Sequence, residues 1–260
     1  MTTQIALFGG VYSNYLALDA AITDACSRGI SDLYCLGDLG AFGPFPDRIF
    51  PLLQRHNVQC IQGNYDDSIG NDLDNCQCGY TDERDNYYAN ISYQYTQQHT
   101  SADNKAFLRQ LPRTRIIQVE QTQILLCHGS PRKLNEFLWE STSPDHFLEP
   151  FFSQHTVDVI AVTHTGIKWQ RQLPSGLFVN VGVLGRPEND GTTNVWYTIL
   201  EVSGSKTAVE FVPIEYDYQQ LAQDMQNEQL PREFIDTINT GWWTTCLEVL
   251  PQKERTIGKH

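Results

Sequence analysis

Polar side chains able to bind a cation stand directly after short apolar runs of this 260-residue chain. Asp38 follows the run in LYCLGDLG, and Asn64 and Asp66 follow that in VQCIQGNYDD. His128 follows the run in ILLCHGSP, and His164 that in IAVTHTGI. Singly, each has a plain explanation: Gly-Asp and Gly-Asn are common turn dipeptides, and an isolated His is commonly a hydrogen-bonded loop residue. Together, two imidazoles, a carboxylate and an amide oxygen brought to one edge of a fold make a cage for a divalent cation. That mixed set suits Zn, Fe(II), Mn or Co and is too rich in nitrogen for Mg or Ca. One such ion can polarise a phosphoryl oxygen and lower the pKa of bound water, but it cannot clamp the attacking and leaving oxygens together.

The runs that position these residues are strand-like: residues 5–8, 33–36, 58–61, 116–119, 124–127, 157–162 and 177–181, with two more at 195–202 and 207–212. Helical patterns over 14–28, 46–55, 82–99 and 143–152 alternate with them, and a polar helix is expected near 216–226. The alternation predicts βαβ units in the first third and a more antiparallel second half. Polar residues at the carboxyl ends of such strands are where α/β folds place their sites. The layout implies an α/β fold of two sheets packed face to face with helices outside. One domain is expected over 1–228, with an acidic loop or lid inserted at about 67–100, and a C-terminal segment over 229–260. That segment carries Trp242 and Trp243 and is too apolar to dangle freely, so it is expected to pack on the domain.

In this order, the strand-end residues resemble the motifs of the calcineurin-like metallophosphoesterases, particularly their small bacterial and archaeal phosphodiesterase branch. That family's pattern is Asp-x-His, Gly-Asp, Gly-Asn-x-Asp, His-Gly and Gly-His-x-His. The resemblance spans roughly residues 4–190 and includes NVGVLGRP at 180–187, similar to the family's Asn-Pro-Gly-Ser segment. It implies a four-layer α/β/β/α sandwich of two mixed sheets, with two metals at its edge bridged by the Gly-Asp carboxylate. Here the first motif, in LFGGVYSN, has Gly10 for the Asp and Tyr12 for the His, while Thr163 and Gly166 alter the last motif around His164. By the resemblance, the lost side chains of Gly10, Tyr12 and Gly166 all served one metal. Asn64, His128 and His164 serve the other, and Asp38 stands between. The expectation is one retained divalent transition metal (Zn, Fe or Mn) on Asp38, Asn64, His128 and His164, with the second site lost.

The same comparison casts Asp66 and His128 as catalytic, with Asp66 orienting a group such as His128, and places Tyr12, Asn14 and Tyr65 in a substrate pocket. Tyr12 could bind an oxidised iron, donate to a substrate oxygen, or fill the vacated space, the default for an aromatic beside a cavity. Tyr65 stands where the family often has a His that protonates the leaving group, and a neutral phenol is a poorer acid.

A formal charge of -13 argues against a phosphate-backbone or anionic-membrane surface. No leader or spanning segment is evident, so a soluble cytoplasmic protein acting on a small molecule is expected. Cys76 and Cys78, the only clustered pair of seven cysteines, read as loop packing or, alternatively, as a metal or redox pair. Three functions fit: a mononuclear hydrolase of a phosphate ester or related small substrate, a catalytically inactive binding or scaffold protein, or a mononuclear iron redox enzyme.

Overall fold

In chain order, the computed structural model runs β1 (Thr3–Phe8), α1 (Tyr15–Ser27), β2 (Leu33–Cys35), α2 (Ile49–Arg55), β3 (Gln59–Cys60), α3 (Asn64–Gly70), α4 (Glu83–His99) and α5 (Ala102–Gln110). It continues with β4 (Thr114–Val119), β5 (Thr122–Cys127), α6 (Asp145–His155), β6 (Val159–Val162), β7 (Lys168–Leu173) and β8 (Gly176–Val181). The last elements are β9 (Val195–Ser203), β10 (Lys206–Ile214), α7 (Tyr218–Asn227), α8 (Arg232–Thr240) and α9 (Gln252–Thr256). The structure describes residues 2–256; Met1 and residues 257–260, the ends of the two expected segments, lie outside the described residues.

Alternation along the strands builds the layers, because successive side chains point to opposite faces. Ile5 and Leu7 of β1 meet Ile124 and Leu126 of β5 and Val159 and Ala161 of β6 between the sheets. Ala6 and Phe8 point the other way, into the cluster formed with Ala17, Leu18 and Ile22 of α1. Likewise, Leu125, Ile160 and Val162 turn from the inter-sheet layer toward Leu148 and Phe152 of α6. Each such aliphatic side chain, once fully buried, contributes roughly 1.5–3 kcal/mol. The result is two mixed sheets, ordered β10-β9-β1-β2-β3 and β4-β5-β6-β8-β7, with helices on their outer faces.

The parallel runs β1-β2-β3 and β5-β6-β8 fix where the site lies. Their carboxyl ends meet at one edge, where an isolated bridge joins Gly10, after β1, to Val183, after β8. The second half is the more antiparallel, as its sequence pattern predicts: antiparallel pairing joins β4 to β5, β7 to β8, and β9 to both β10 and β1, while β5-β6-β8 run parallel. The α6 connection carries the chain from β5 to a parallel β6, and the β7–β8 hairpin returns β8 beside it.

The acidic segment differs from a single long lid. Residues 64–70 form α3, and Asp82 caps α4 by accepting the Arg84 and Asp85 N–H groups at 2.8 and 3.2 Å, leaving only about 71–82 as loop. The helical pattern over 82–99 corresponds to α4, whose buried Ala89, Ser92, Tyr93 and Thr96 share one face. Beyond α7 the chain turns back on the body of the protein. Phe234 and Ile238 of α8 enter the α1 cluster, and Trp243 packs with Trp139, Ile167 and Leu250. Among the described residues no helix is long and apolar enough to cross a membrane.

Candidate metal centre

Four loops at the shared edge deliver the four predicted donors. Asp38 leaves β2 with φ +55° and His164 leaves β6 with φ +69°, left-handed conformations that cost a non-glycine residue free energy and persist where the surroundings hold them. Asp66 supplies that hold for Asp38. Its carboxylate accepts the N–H groups of Gly63 (2.7 Å), Asp38 (2.8 Å) and Leu39 (2.9 Å), locking the two loops together. A Cβ at Gly63 would lie 2.3 Å from Asp38 Oδ1, so only glycine permits this approach. Past the ends of the paired strands β5 and β6, the Thr163 N–H donates to the His128 carbonyl oxygen at 2.8 Å and joins the two histidine loops.

His128 Nε2 is the centre of the constellation. It lies 3.2 Å from Asp38 Oδ2, 3.1 Å from Asn64 Oδ1 and 3.2 Å from His164 Nδ1. On the other side of the ring, Nδ1 is 2.7 Å from the Leu36 carbonyl oxygen, which can only accept. Nδ1 therefore carries the proton and Nε2 presents a lone pair, the arrangement of a ligating histidine braced by a backbone carbonyl. One proton cannot satisfy three neighbours that all present lone pairs, whereas a cation can. A tetrahedron of ligands about 2.1 Å from an ion has edges of roughly 3.4 Å, close to the separations found. Ligating atoms of Asp38, His128 and His164 lie within 4.8 Å of one another, and among the described residues no other group of three acidic, His or Cys side chains does so. The residues fit a divalent transition ion.

Charge placement agrees. Burial opposes ionisation of Asp38, but the charge and hydrogen bond of His128, with the Tyr65 N–H bond to Oδ1 at 3.0 Å, hold its carboxyl below its ordinary value. Burial pulls His128 down, and the adjacent Asp38 more than offsets this, leaving it raised. Burial and the charge of His128 depress His164 to about 3, so its imidazole is neutral and ready to ligate. Its Nε2 is buried without a hydrogen-bond partner among the described residues.

Beside this centre, three side chains occupy the space that Gly10 and Gly166 leave open. The Tyr12 ring lies over Gly10, where a Cβ would be 2.6 Å from Tyr12 Cε1. Trp243, from the C-terminal segment, covers Gly166, where a Cβ would be 2.8 Å from its Cη2. The Trp243 indole is fixed by donating to the Pro187 carbonyl oxygen at 2.6 Å, and the Arg186 guanidinium stacks 3.6 Å from its ring centroid. A cavity of about 40 Å³ remains, bordered by Asp38 and His164 on one side and by Tyr12, Tyr65 and Arg186 on the other.

Asp38, Asn64, His128 and His164 thus come together, and three other expected site residues take different parts. Asp66, expected to act in catalysis by orienting His128, has both oxygens engaged by backbone N–H groups and instead positions the Asp38 loop. Asn14 does not border the cavity: its Oδ1 caps α1 by accepting the Ala17 N–H at 3.0 Å, and its Nδ2 donates to the Gly185 carbonyl oxygen at 3.1 Å. Tyr65 does border it, but its phenol is directed to Ser92 Oγ (3.0 Å) and the Ala89 carbonyl oxygen (3.3 Å). Burial pushes the phenols of Tyr12 and Tyr65 well above their ordinary range. His128 has both ring nitrogens committed, Nδ1 to the Leu36 carbonyl oxygen and Nε2 to the donor cluster, a geometry that suits a ligand. Cys76 and Cys78 are buried, joined as a disulfide, and lie against the Asn64 amide. Trp243 packs on the domain as expected, but its place beside the metal centre, like that of Arg186, escaped sequence reading; the one signal for Arg186 was its position in NVGVLGRP, directly after the last recognisable motif.

Comparison with known proteins agrees with this geometry. The family model for the calcineurin-like phosphoesterase superfamily domain matches residues 4–205. An uncharacterized protein of Methanocaldococcus jannaschii, MJ0912, is 25% identical over 244 residues, covering 88% of this chain and 94% of that protein. The fold is shared with hypothetical protein PH1004 from Pyrococcus horikoshii, at a TM-score of 0.76 and 20% identity, over 93% of this chain and 100% of that one. It is also shared with a metallophosphoesterase from Sphaerobacter thermophilus, at 0.69 and 22%, over the same shares.

Proposed function

Because the chain belongs to the calcineurin-like phosphoesterase superfamily, we propose that it is a soluble cytoplasmic hydrolase of small phosphate esters that works with one divalent transition metal, Zn, Fe or Mn. The reading rests on the convergence of Asp38 Oδ2, Asn64 Oδ1 and His164 Nδ1 on His128 Nε2, beside a space that Tyr12 and Trp243 fill. An ion held by these four residues would polarise a phosphoryl oxygen and acidify a bound water. The chain's residues supply the rest: Asp66 keeps Asp38 in place, Leu36 keeps His128 Nε2 deprotonated, and the cavity of about 40 Å³ admits a group of small volume. The charge of -13 disfavours a nucleic-acid substrate.

A second reading, a catalytically inactive binding protein, is favoured by the phenols. With Tyr65 tied to α4 and both phenols pushed up, no side chain bordering the cavity is a good acid for a leaving group. Elemental analysis combined with turnover of 4-nitrophenyl phosphate and bis(4-nitrophenyl) phosphate separates the two. The hydrolase reading expects about one ion per chain and turnover that His128→Ala removes. One ion with no turnover under Zn, Fe or Mn would establish the inactive protein instead.

A further inference from the structure

Arg186 is the one residue at the site whose charge has no answer within the described structure. It is 6% exposed, makes no hydrogen bond or ion pair with any described residue, and has a buried Nε without a partner. Burial of an unpaired guanidinium is expensive, and such groups are retained where a ligand completes them. Its position is not accidental packing of a flexible chain end. The guanidinium carbon lies over Trp243, 3.6 Å from the ring centroid, and 5.9 and 5.8 Å from the centroids of Tyr12 and Phe42. Beyond these aromatic contacts, Arg186 borders the cavity it shares with Asp38 and His164.

We propose that Arg186 is the anion-binding residue of the site, and that it receives the phosphoryl group of a phosphate monoester against the metal centre. Cavity volume selects the group. About 40 Å³, at roughly 10–15 Å³ per enclosed water, holds some three waters or one tetrahedral oxyanion, too little for a nucleotide or sugar. The remainder of an ester has somewhere to go, since the neighbouring groove, lined by Asn75, Gln77, Asn86 and Asn90, shares Cys78, Tyr80 and Ala89 with the cavity. Charge selects the ester. Of the groups that border the cavity, a divalent ion, Asp38 and Arg186 sum to plus two, which favours a monoester dianion over a diester monoanion; the Asp66 carboxylate lies behind Asp38 and is engaged by three backbone N–H groups. A planar guanidinium also offers two parallel N–H groups to two oxygens of one phosphoryl group, which strengthens and orients the contact. The inference rests on the phosphate-ester reading above, and narrows it to monoesters.

The test is equilibrium binding rather than turnover. Calorimetric titration of methyl phosphate and dimethyl phosphate into the Zn-loaded full-length protein is compared among wild type, Arg186→Lys and Arg186→Met, with Zn affinity measured for each. The expected result is that methyl phosphate binds wild type at least 10-fold more tightly than dimethyl phosphate. Arg186→Met should lose roughly 10- to 100-fold of methyl phosphate affinity, and Arg186→Lys should retain part of it, both with unchanged Zn affinity. Equal methyl phosphate binding by wild type and Arg186→Met, no binding by wild type, or a preference for dimethyl phosphate would each overturn the proposal. Should Arg186→Met fold poorly, Arg186→Lys decides, because a fork converted to a point charge must still weaken binding. Arg186-dependent binding without turnover would sink the hydrolase and leave this site standing; turnover with Arg186-independent binding would do the reverse.

Discussion

Asn64 donates a side-chain N–H to the Cys76 carbonyl oxygen at 2.8 Å, and that bond decides which end of the amide faces His128. A carbonyl can only accept, so Nδ2 must lie toward Cys76 and Oδ1 toward the imidazole, 3.1 Å from Nε2. The acidic loop between α3 and α4 therefore acts on the metal centre through its backbone. Its exposed carboxylates, Asp72 and Asp74, are not part of that contact.

Substitutions at Asn64 should separate its two roles. Asn64→Ala removes a ligand and is expected to weaken Zn binding by at least the roughly 10-fold cost of disturbing a ligand's support. Asn64→Asp keeps an oxygen for the metal but sets a carboxylate against the Cys76 carbonyl and beside Asp38. The metal-free variant should lose about 1–3 kcal/mol, much of it regained with Zn. Competition against a chromophoric chelator, with urea unfolding, measures both; wild-type Zn affinity in Asn64→Ala would remove Asn64 from the ligand set.

Asp66→Asn tests whether that carboxylate is a scaffold. An amide can replace one acceptor oxygen but must turn an NH₂ toward either the Leu39 N–H or the Asp38 and Gly63 pair. One or two buried N–H groups lose their partner, at about 1–3 kcal/mol each. Stability and Zn affinity should fall together, because Asp38 is released from its left-handed backbone. A variant that unfolds like wild type yet has lost turnover would make Asp66 a catalytic group after all.

Much of this was legible in sequence, for a physical reason. Asp38, Asn64, His128 and His164 each follow a buried strand whose hydrophobic run fixes where it ends, so spacing along the chain translates into position in space. Arg186 and Trp243 have no such tether. Trp243 reaches Gly166 from beyond α8, and the pairing of a small residue with a distant ring leaves no periodic trace. Asn14 and Asp66 were misjudged differently. Their types suit a site, but local backbone N–H groups claim their oxygens first, a competition that only coordinates expose. β7 and α5 were missed because KWQRQL and ADNKAFLRQ, largely polar, carry too few apolar positions to show a period.

Protonation of His128 should compete with the metal. In the metal-free protein its folded value is raised above the ordinary 6.5 by Asp38. A raised histidine stabilises the fold below its unfolded value, and that contribution disappears as pH rises through the folded value. Metal displaces the same proton, so its affinity falls as pH drops below the folded value. His164, neutral above about 3, adds nothing over this range, and Asp66, pushed by burial up to about 6, contributes only at its lower end. The difference in melting temperature between Zn-loaded and chelator-treated protein should therefore widen from about pH 6 to about pH 8. A constant or shrinking difference would mean that His128 is not a ligand.

The filled space beside the centre predicts that a second metal cannot be restored by one substitution. Gly10→Asp would drive its Cβ to 2.6 Å from the buried Tyr12 ring. Gly166→His meets Trp243 at 2.8 Å, and does so from a backbone at φ +83° that side chains rarely adopt. Each should cost about 1–3 kcal/mol by overpacking, and elemental analysis after dialysis should still find about one ion per chain. Combining Gly10→Asp with Tyr12→His removes the first clash but leaves the Arg186 guanidinium in the vacated space, where it repels a divalent cation. Replacing Arg186 as well should be the first step that raises occupancy. Two ions bound by Gly10→Asp alone would contradict this order and show that Tyr12 and Arg186 yield readily.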